Sequence, residues 1–296
     1  MTAQDLAENL EGHREGHEWR CRCPVHGGRS LSIREKDGKI LVVCRAGCSQ
    51  GEVVKALQEA GLWGSGTGYE IPPPTEPSKD DTERRADRAS DLWNETHPIE
   101  PNDPVGGYLR GRGIVLNTWP EDLRTHPRLD YWEVSDGGNP IKTGTFPAML
   151  AVIRNPQGHP VGIHRTWIAP DGSGKALVDS PKKIYKVGDL SGSAVRLFPP
   201  RDGLLGVTEG IEDALSAMIL WSLPCWACLG TSGLKGFEPP EEVGKLIVFS
   251  DNDEPGKKAA MELAGRLKKT MAVGIRIPSG HKDINALLME GVTHAV

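Results

Sequence analysis

The sequence predicts a multidomain protein with a small β ribbon at the N-terminus, an α+β region in the middle and a C-terminal α/β domain with a mostly parallel sheet. Three observations predict it: paired Cys and His residues before residue 50, short apolar runs broken by Gly, Pro and Asn in the middle, and alternating strand and helix patterns after residue 203. We expect a ribbon domain at 1–63, a linker and helix at 64–97, a middle subdomain at 98–200 and a C-terminal domain at 201–296.

The composition is that of an ordinary globular protein, with 38% hydrophobic residues, 25% charged residues and a formal net charge of −5 over 296 residues. The sequence has no apolar run of membrane-spanning length and no signal peptide, so we expect a cytoplasmic protein with no membrane partner. The acidic balance argues against an indiscriminate polyanion binder. It is compatible with a nucleic-acid enzyme, because bound divalent metals can offset an acidic cluster.

The N-terminal region carries two ligand pairs, Cys23-x2-His26 and Cys44-x3-Cys48, separated by the strand-like stretches SLSIRE and KILVV. This spacing is typical of a zinc ribbon, in which one structural Zn²⁺ supplies folding energy that a small core cannot. The alternative is a set of free buried thiols. Cys21 is a spare thiol that could replace Cys23, but the Cys23 to His26 spacing is the better-known one.

A Gly-rich and then Pro-rich stretch over residues 64–82 predicts an extended linker, and the charged sequence from Thr82 to about Thr96 predicts a helix. In the middle region, alternating strands around Ala148–Arg154 and Val161–Ile168 flank the turn signal NPQG, which predicts a β-hairpin.

The C-terminal region alternates between strands and helices. The expected strands are residues 204–208, 224–230, 246–250 and 273–278, and the expected helices are residues 210–221 and 254–270. In parallel sheets of this kind, ligands bind beyond the carboxyl ends of the strands, and Glu209 and Asp251 stand at two such ends. Cys225 and Cys228 lie within a predicted buried strand, so we expect buried thiols rather than a redox pair.

Acidic residues punctuate the C-terminal region: Glu209 and Asp213 in TEGIEDA, Asp251 and Asp253 in SDNDEPG, and Asp283 in HKDINALL. Carboxylates without accompanying His or Cys suit Mg²⁺ or Mn²⁺. The alternative is that the aspartates after the strand only cap the following helix. Glu209 at a second strand end favours a metal site.

The order TEGIEDALSA, LIVFSDNDEPGKKAA and HKDINALL resembles the Toprim domain of bacterial and phage primases over residues 204–288. The resemblance implies that Glu209, Asp251 and Asp253 bind Mg²⁺ or Mn²⁺, with Asp213 and Asp283 matching two further acids of the family. It also implies two-metal nucleotidyl transfer, with one ion activating a 3′-hydroxyl and the other neutralising the triphosphate.

Residues 19–57, with CPVH, SLSI and CRAGC, are similar to the zinc-binding domain of primases, which helps to recognise the single-stranded template. The middle region resembles the basic subdomain that precedes Toprim in those enzymes. This similarity offers Arg154, His164, Arg165, Lys183 and Lys186 as candidates for holding template or nucleoside triphosphates. Lys235, after the second C-terminal strand, is a further candidate for a phosphate contact.

The resemblance implies a DNA primase that makes short RNA primers on single-stranded DNA from nucleoside triphosphates. The sequence contains no phosphate-loop motif, so we expect a separate replicative helicase as partner of a phage or mobile-element primase; the alternative is that the sequence is a fragment of a larger primase-helicase. The alternatives are a Toprim nuclease and a catalytically silent, zinc-dependent DNA-binding adaptor for a helicase. A haloacid-type phosphatase also uses Asp-x-Asp after a strand, but normally early in the chain.

Overall fold

The computed structural model describes residues 2–15, 18–36, 39–44, 48, 50–63, 79–134 and 140–293. The chain divides into two compact units: Met1–Glu76 with Trp132–Gly144, and Pro77–Tyr131 with Thr145–Val296. Residues 64–78 of the linker predicted at residues 64–82 lie outside the described residues. None of the described helices is both long enough and apolar enough to cross a membrane.

The first unit contains a four-stranded antiparallel sheet in the order β1-β2-β3-β4, flanked in sequence by two helices. Its elements are α1 (Ala3–Asn9), β1 (His13–Glu15), β2 (Glu18–Cys21), β3 (Leu31–Lys36), β4 (Lys39–Cys44) and α2 (Gln50–Glu59). A capping box between Thr2 and Asp5 starts α1. Leu6, Leu31 and Leu57 are fully buried in the small core of this unit. The two strands predicted between the ligand pairs are confirmed as β3 and β4.

The second unit begins with two helices and five strands. They are α3 (Lys79–Asn94), α4 (Pro104–Arg110), β5 (Leu123–Val134), β6 (Pro140–Arg154), β7 (Pro160–Trp167), β8 (Lys182–Lys186) and β9 (Ala194–Val195). The outer ends of β5 and β6 belong to the first unit. The predicted charged helix is confirmed as α3. The predicted hairpin is confirmed as β6 and β7, which pair from Ala148 opposite Trp167 to Arg154 opposite Pro160.

The C-terminal region alternates between strands and helices as predicted. Its elements are β10 (Leu204–Thr208), α5 (Ile211–Trp221), β11 (Cys225–Ala227), α6 (Thr231–Gly236), β12 (Lys245–Phe249), α7 (Glu254–Leu267), β13 (Ala272–Arg276) and α8 (Ile284–Thr293). Strands β13, β12, β10 and β11 are adjacent and parallel. Apolar residues alternate between the faces of this sheet, so that Leu246 and Val248 pack with α7 whereas Phe249 packs with α5.

The parallel strands continue into the antiparallel ones as a single mixed sheet, because β11 pairs with β9 and β9 pairs with β6. Residues on either side of position 200 therefore belong to one compact unit in the structure. The domain boundary expected at 200/201 stays a prediction from sequence.

Cys225 and Cys228 are free and buried. Cys225 belongs to one apolar core and Cys228 to the other, on opposite faces of the sheet. Residues three positions apart along an extended chain point to opposite faces. This confirms the interpretation that they are buried thiols.

Candidate active site and zinc cluster

Two adjacent strand ends bring the principal acids together. Strands β10 and β12 are parallel neighbours, with Val207 opposite Val248. Glu209 follows β10 and Asp251 follows β12, so both emerge at the same edge of the sheet. With Asp213 on the first turn of α5, they line a cavity of about 520 Å³. Sequence spacing alone predicts this convergence, because the carboxyl ends of parallel strands share an edge.

The electrostatics of the cavity favour a cation. Burial raises the pKa of Glu209 to about 7, and the carboxylates of Asp251, Asp253 and Asp213 add to the effect. Burial also raises the pKa of Asp213 to about 7 and, with help from Asp283, raises the pKa of Asp251. Glu209 Oε1 is buried without a hydrogen-bond partner in the described part of the chain. Crowded carboxylates with an orphaned oxygen fit a divalent metal such as Mg²⁺ or Mn²⁺.

Asp253 caps a helix, as the alternative interpretation predicts for the aspartates after the strand, and Asp283 caps a second helix. Asp253 Oδ1 accepts a hydrogen bond from the backbone N–H of Gly256 at 2.8 Å at the start of α7. Asp283 Oδ1 accepts from the backbone N–H of Ala286 at 2.8 Å at the start of α8. A carboxylate has two oxygens with several lone pairs, so a cap leaves acceptor capacity for a metal ion. Capping and metal binding are therefore compatible at both positions.

Three residues that the sequence did not single out hold the acids in place. The side chain of Asn252 donates to the carbonyls of Pro278 at 3.2 Å and His281 at 3.0 Å, which fixes the loop leading to Asp283. Gly256 allows close approach, because a Cβ there would lie 3.0 Å from Glu209 Oε1. The third is Asn285, whose backbone N–H donates to Asp213 Oδ1 at 3.0 Å. All three lie inside the quoted acidic motifs, Asn252 and Gly256 in SDNDEPG and Asn285 in HKDINALL.

A cationic group lines the same cavity as the acids. Lys182, at the start of β8, lines the cavity with Glu209 and Asp251, and its Nζ lies 3.1 Å from Glu212 Oε2. The residue predicted from the sequence is the neighbouring Lys183. The ammonium group of Lys183 lies instead 3.9 Å from the centre of the Tyr131 ring, although the residue borders the cavity. Adjacent strand residues point to opposite faces, and the sheet register decides which lysine faces the acids.

The other predicted basic residues lie in different places. His164 lines the cavity, and burial, with Lys182 nearby, lowers its pKa to about 4, so the ring is neutral at pH 7. Arg165, on the other face of β7, stacks over Trp167 and Tyr185.

Arg154, Lys186 and Lys235 are not among the residues that line this cavity. The guanidinium of Arg154 is engaged by Asp122, with Nη2 2.6 Å from Oδ1. Lys186 is exposed at the end of β8, and Lys235 pairs with Glu262 on α7 at 3.3 Å. A role in holding template or nucleotide stays a prediction for these residues, as it does for Arg165.

The four predicted zinc ligands converge in the first unit. The ligand atoms of Cys23, His26, Cys44 and Cys48 all lie within 4.8 Å of one another. Cys23 Sγ lies 3.9 Å from Cys48 Sγ, and His26 Nε2 lies 3.3 Å from Cys44 Sγ. Three sulfurs and one imidazole at this spacing suit a structural, four-coordinate Zn²⁺. Cys21 is buried in the apolar core of the unit and is not part of the cluster.

The fold and the carboxylate arrangement define a Toprim domain. Residues 204–293 match the family model described as "Toprim domain", which confirms the resemblance drawn from the three acidic motifs. Residues 83–197 match a second family model, described as "Domain of unknown function (DUF7146)". A comparison with curated proteins finds no significant match.

Solved structures with a similar fold include three domains of DNA primases. A DNA primase domain from Pseudomonas aeruginosa matches with a TM-score of 0.47 and 15% identity over 72% of this chain and 77% of that one. The primase fragment of the bacteriophage T7 primase-helicase matches with a TM-score of 0.37 and 19% identity over 62% of this chain and 65% of that one. The RNA polymerase domain of the Mycobacterium tuberculosis primase matches with a TM-score of 0.41 and 14% identity over 74% of this chain and 84% of that one.

Proposed function

We propose that the protein is a DNA primase that makes short RNA primers on single-stranded DNA by Mg²⁺-dependent nucleotidyl transfer. The observation that carries the proposal is the set of acids at adjacent strand ends of the Toprim domain, where Glu209, Asp213 and Asp251 share one cavity. The Cys and His cluster of the first unit favours a primase over a Toprim nuclease, because a zinc ribbon suits template recognition.

In this proposal Glu209, Asp251 and Asp253 hold the divalent ions. Bound ions supply Lewis-acid activation of the primer 3′-hydroxyl and neutralise the displaced phosphates. The protein's own part is to place the acids before the ions arrive: Asn252 fixes the loop that leads to Asp283, and Gly256 leaves room for the Glu209 carboxylate. Lys182 presents a positive charge in the same cavity, where it can meet phosphate oxygens.

We also propose that the four-ligand cluster holds one structural Zn²⁺, so that the first unit folds as a ribbon that contacts the single-stranded template. The nucleoside triphosphates enter the carboxylate cavity, and a separate helicase, as in a phage or mobile element, supplies unwound DNA. These partners follow from the proposed activity.

The test is primer synthesis on a degenerate single-stranded DNA library with labelled triphosphates and Mg²⁺, run separately with ribonucleotides and deoxyribonucleotides. We expect short products that require both template and triphosphates, and sequencing them gives the start site. The double variant Asp251→Asn with Asp253→Asn should lose at least a hundredfold in rate. The control Asp202→Asn changes an exposed aspartate in the turn before β10, at the other end of that strand, and should keep full activity.

Two results would contradict the proposal. Shortened template DNA without any need for triphosphates would identify a nuclease. Template binding without synthesis, unchanged in the Asp251→Asn and Asp253→Asn double variant, would identify an adaptor that does not use the acids.

A further inference from the structure

Glu212 lies between two lysines and a tyrosine that come from distant parts of the chain. Glu212 Oε1 accepts a hydrogen bond from the hydroxyl of Tyr108 at 2.8 Å and lies 3.5 Å from Lys175 Nζ. Glu212 Oε2 accepts from Lys182 Nζ at 3.1 Å. The acid is on α5, between Glu209 and Asp213 in sequence, but it faces the lysines rather than the carboxylate cluster.

The carboxylate of this group is buried, whereas the two lysine side chains are partly exposed to solvent. The side chain of Glu212 is 5% exposed, whereas those of Lys175 and Lys182 are 29% and 37% exposed. Although burial alone would raise the pKa of Glu212, Lys182, Lys175 and Tyr108 hold it well below its ordinary value. One carboxylate therefore offsets one of two ammonium charges, and each ammonium keeps N–H donors beyond its bond to Glu212.

Two ammonium groups at this distance from one carboxylate would repel each other and separate without it. Lysine side chains lose much rotamer freedom when they bind a ligand, and fixing them beforehand lowers that cost. Lys182 is fixed in this way in the cavity that Glu209 and Asp251 also line. A polyphosphate fits such a cavity, because its oxygens bind metal ions held by the acids and also accept hydrogen bonds from ammonium groups.

We propose that Glu212 is a positioning residue that fixes Lys182 to receive the phosphates of an incoming nucleoside triphosphate. The inference rests on the proposed primase function for the identity of the substrate, but phosphate binding can be measured without any synthesis. If the group were only a structural tie between α5 and the preceding region, its loss would lower stability and leave phosphate affinity unchanged.

The experiment measures binding of inorganic tripolyphosphate and of ATP, each with Mg²⁺, to the full chain by calorimetry. We expect Lys182→Met to weaken both by about tenfold, Lys182→Arg to restore most of the loss, and Glu212→Gln to weaken both by about three- to tenfold. In primer synthesis, Glu212→Gln should raise KM for triphosphates by a similar factor with kcat nearly unchanged. This split separates positioning from general damage.

The matched control is Glu59→Gln, which removes the carboxylate of another Glu–Lys pair, with Lys55 on α2 of the first unit. It should leave affinity and KM unchanged. If Glu212→Gln does not fold, Lys182→Met, at a partly exposed position, decides the question. Wild-type affinity in folded Glu212→Gln or Lys182→Met overturns the inference.

The two proposals fail in different ways. If the wild type makes no primers but its tripolyphosphate affinity depends on Lys182 and Glu212, the primase function fails and the positioning role stands. If primers are made and KM is unchanged in both variants, the positioning role fails and the primase function stands.

Discussion

The backbone N–H of Asn285 donates a hydrogen bond to Asp213 Oδ1 at 3.0 Å, across 72 residues of sequence. The side chain of the same asparagine donates to the carbonyl of Arg112 at 2.9 Å and to Ser216 Oγ at 3.0 Å, and accepts from Arg112 Nη1 at 2.7 Å. Asn285 is 4% exposed. The backbone and side chain of this one buried residue thus connect α8 to α5 and to the segment after α4, beside the acidic cavity.

Asn285→Ala should lower the free energy of unfolding by about 1–3 kcal/mol, because it leaves buried polar groups without partners. Mn²⁺ affinity should change little, because the backbone N–H of residue 285, which donates to Asp213 Oδ1, is retained in this variant. Urea unfolding and Mn²⁺ titration measure the two effects. Asn117→Ala, at an exposed position, should stay within about 0.5 kcal/mol of the wild type. Equal stability of the two variants would contradict the role given to Asn285.

The carboxylate cluster predicts a pH-dependent response to divalent metal. The pKa of Glu209 is raised from 4.5, and that of Asp213 from 3.8, each to about 7, so the folded metal-free protein holds protons that the unfolded chain releases. The stability contributed by these raised values is present at low pH and is lost as pH rises through 7. A metal ion replaces the protons, so the rise in Tm caused by Mg²⁺ or Mn²⁺ should grow from pH 6 to pH 8.

The matched variant for that experiment is Glu209→Gln, which removes one of the two titrating groups. Its Tm should respond less to metal, and with a shallower pH dependence, than the Tm of Asp202→Asn. A metal response that is flat from pH 6 to pH 8 in the wild type would show that these acids do not bind the ion.

The lowered pKa of His164 predicts that the second unit loses stability as the pH falls. Burial lowers its pKa from 6.5 to about 4, so the unfolded chain binds a proton between these values that the folded protein does not. The stability linked to the depressed value is present above pH 6.5 and is lost as pH falls toward 4, by roughly 2–3 kcal/mol in all. Urea unfolding at several pH values should reveal this slope in the wild type and a shallower one in His164→Gln. The exposed control His159→Gln should keep the wild-type slope.

The thiol cluster predicts one zinc ion per chain. Cys23→Ser should lose most of the bound zinc and much of the secondary structure of the first unit, because the metal supplies folding energy there. Cys21→Ser removes a neighbouring buried thiol outside the cluster, and its zinc content should stay near one. Elemental analysis and circular dichroism measure both. Equal zinc content in the two variants would contradict the ligand set.

Gly256 predicts a steric limit at the start of α7. An added Cβ would lie 3.0 Å from Glu209 Oε1, from Asp253 Oδ1 and from the carbonyl oxygen of Asp251. Gly256→Ala should therefore displace the Glu209 carboxylate and weaken Mn²⁺ binding by about tenfold. Gly265→Ala, later in the same helix, meets nothing within 4 Å and should leave Mn²⁺ affinity unchanged. Titration of both variants compares the two positions directly.

The sequence by itself determined the local elements and the acids at the strand ends. The alternation of strands and helices after residue 203, the hairpin of β6 and β7, and the placement of Glu209 and Asp251 all follow from periodicity and from the shared edge of parallel strands. The spacing of Cys23, His26, Cys44 and Cys48 likewise predicted their convergence. These features depend on neighbours in sequence or on a general rule of sheet topology, and both can be read without coordinates.

Only the tertiary structure decided which side chains from distant segments meet. It brought Lys182 rather than Lys183 to Glu212, engaged Arg154 with Asp122, and set Asn285 against Asp213. It also joined the parallel and antiparallel strands into one sheet through the two-residue strand β9. The physical reason is register: a shift of one residue moves a strand side chain to the opposite face, and register is fixed by packing between segments far apart in sequence.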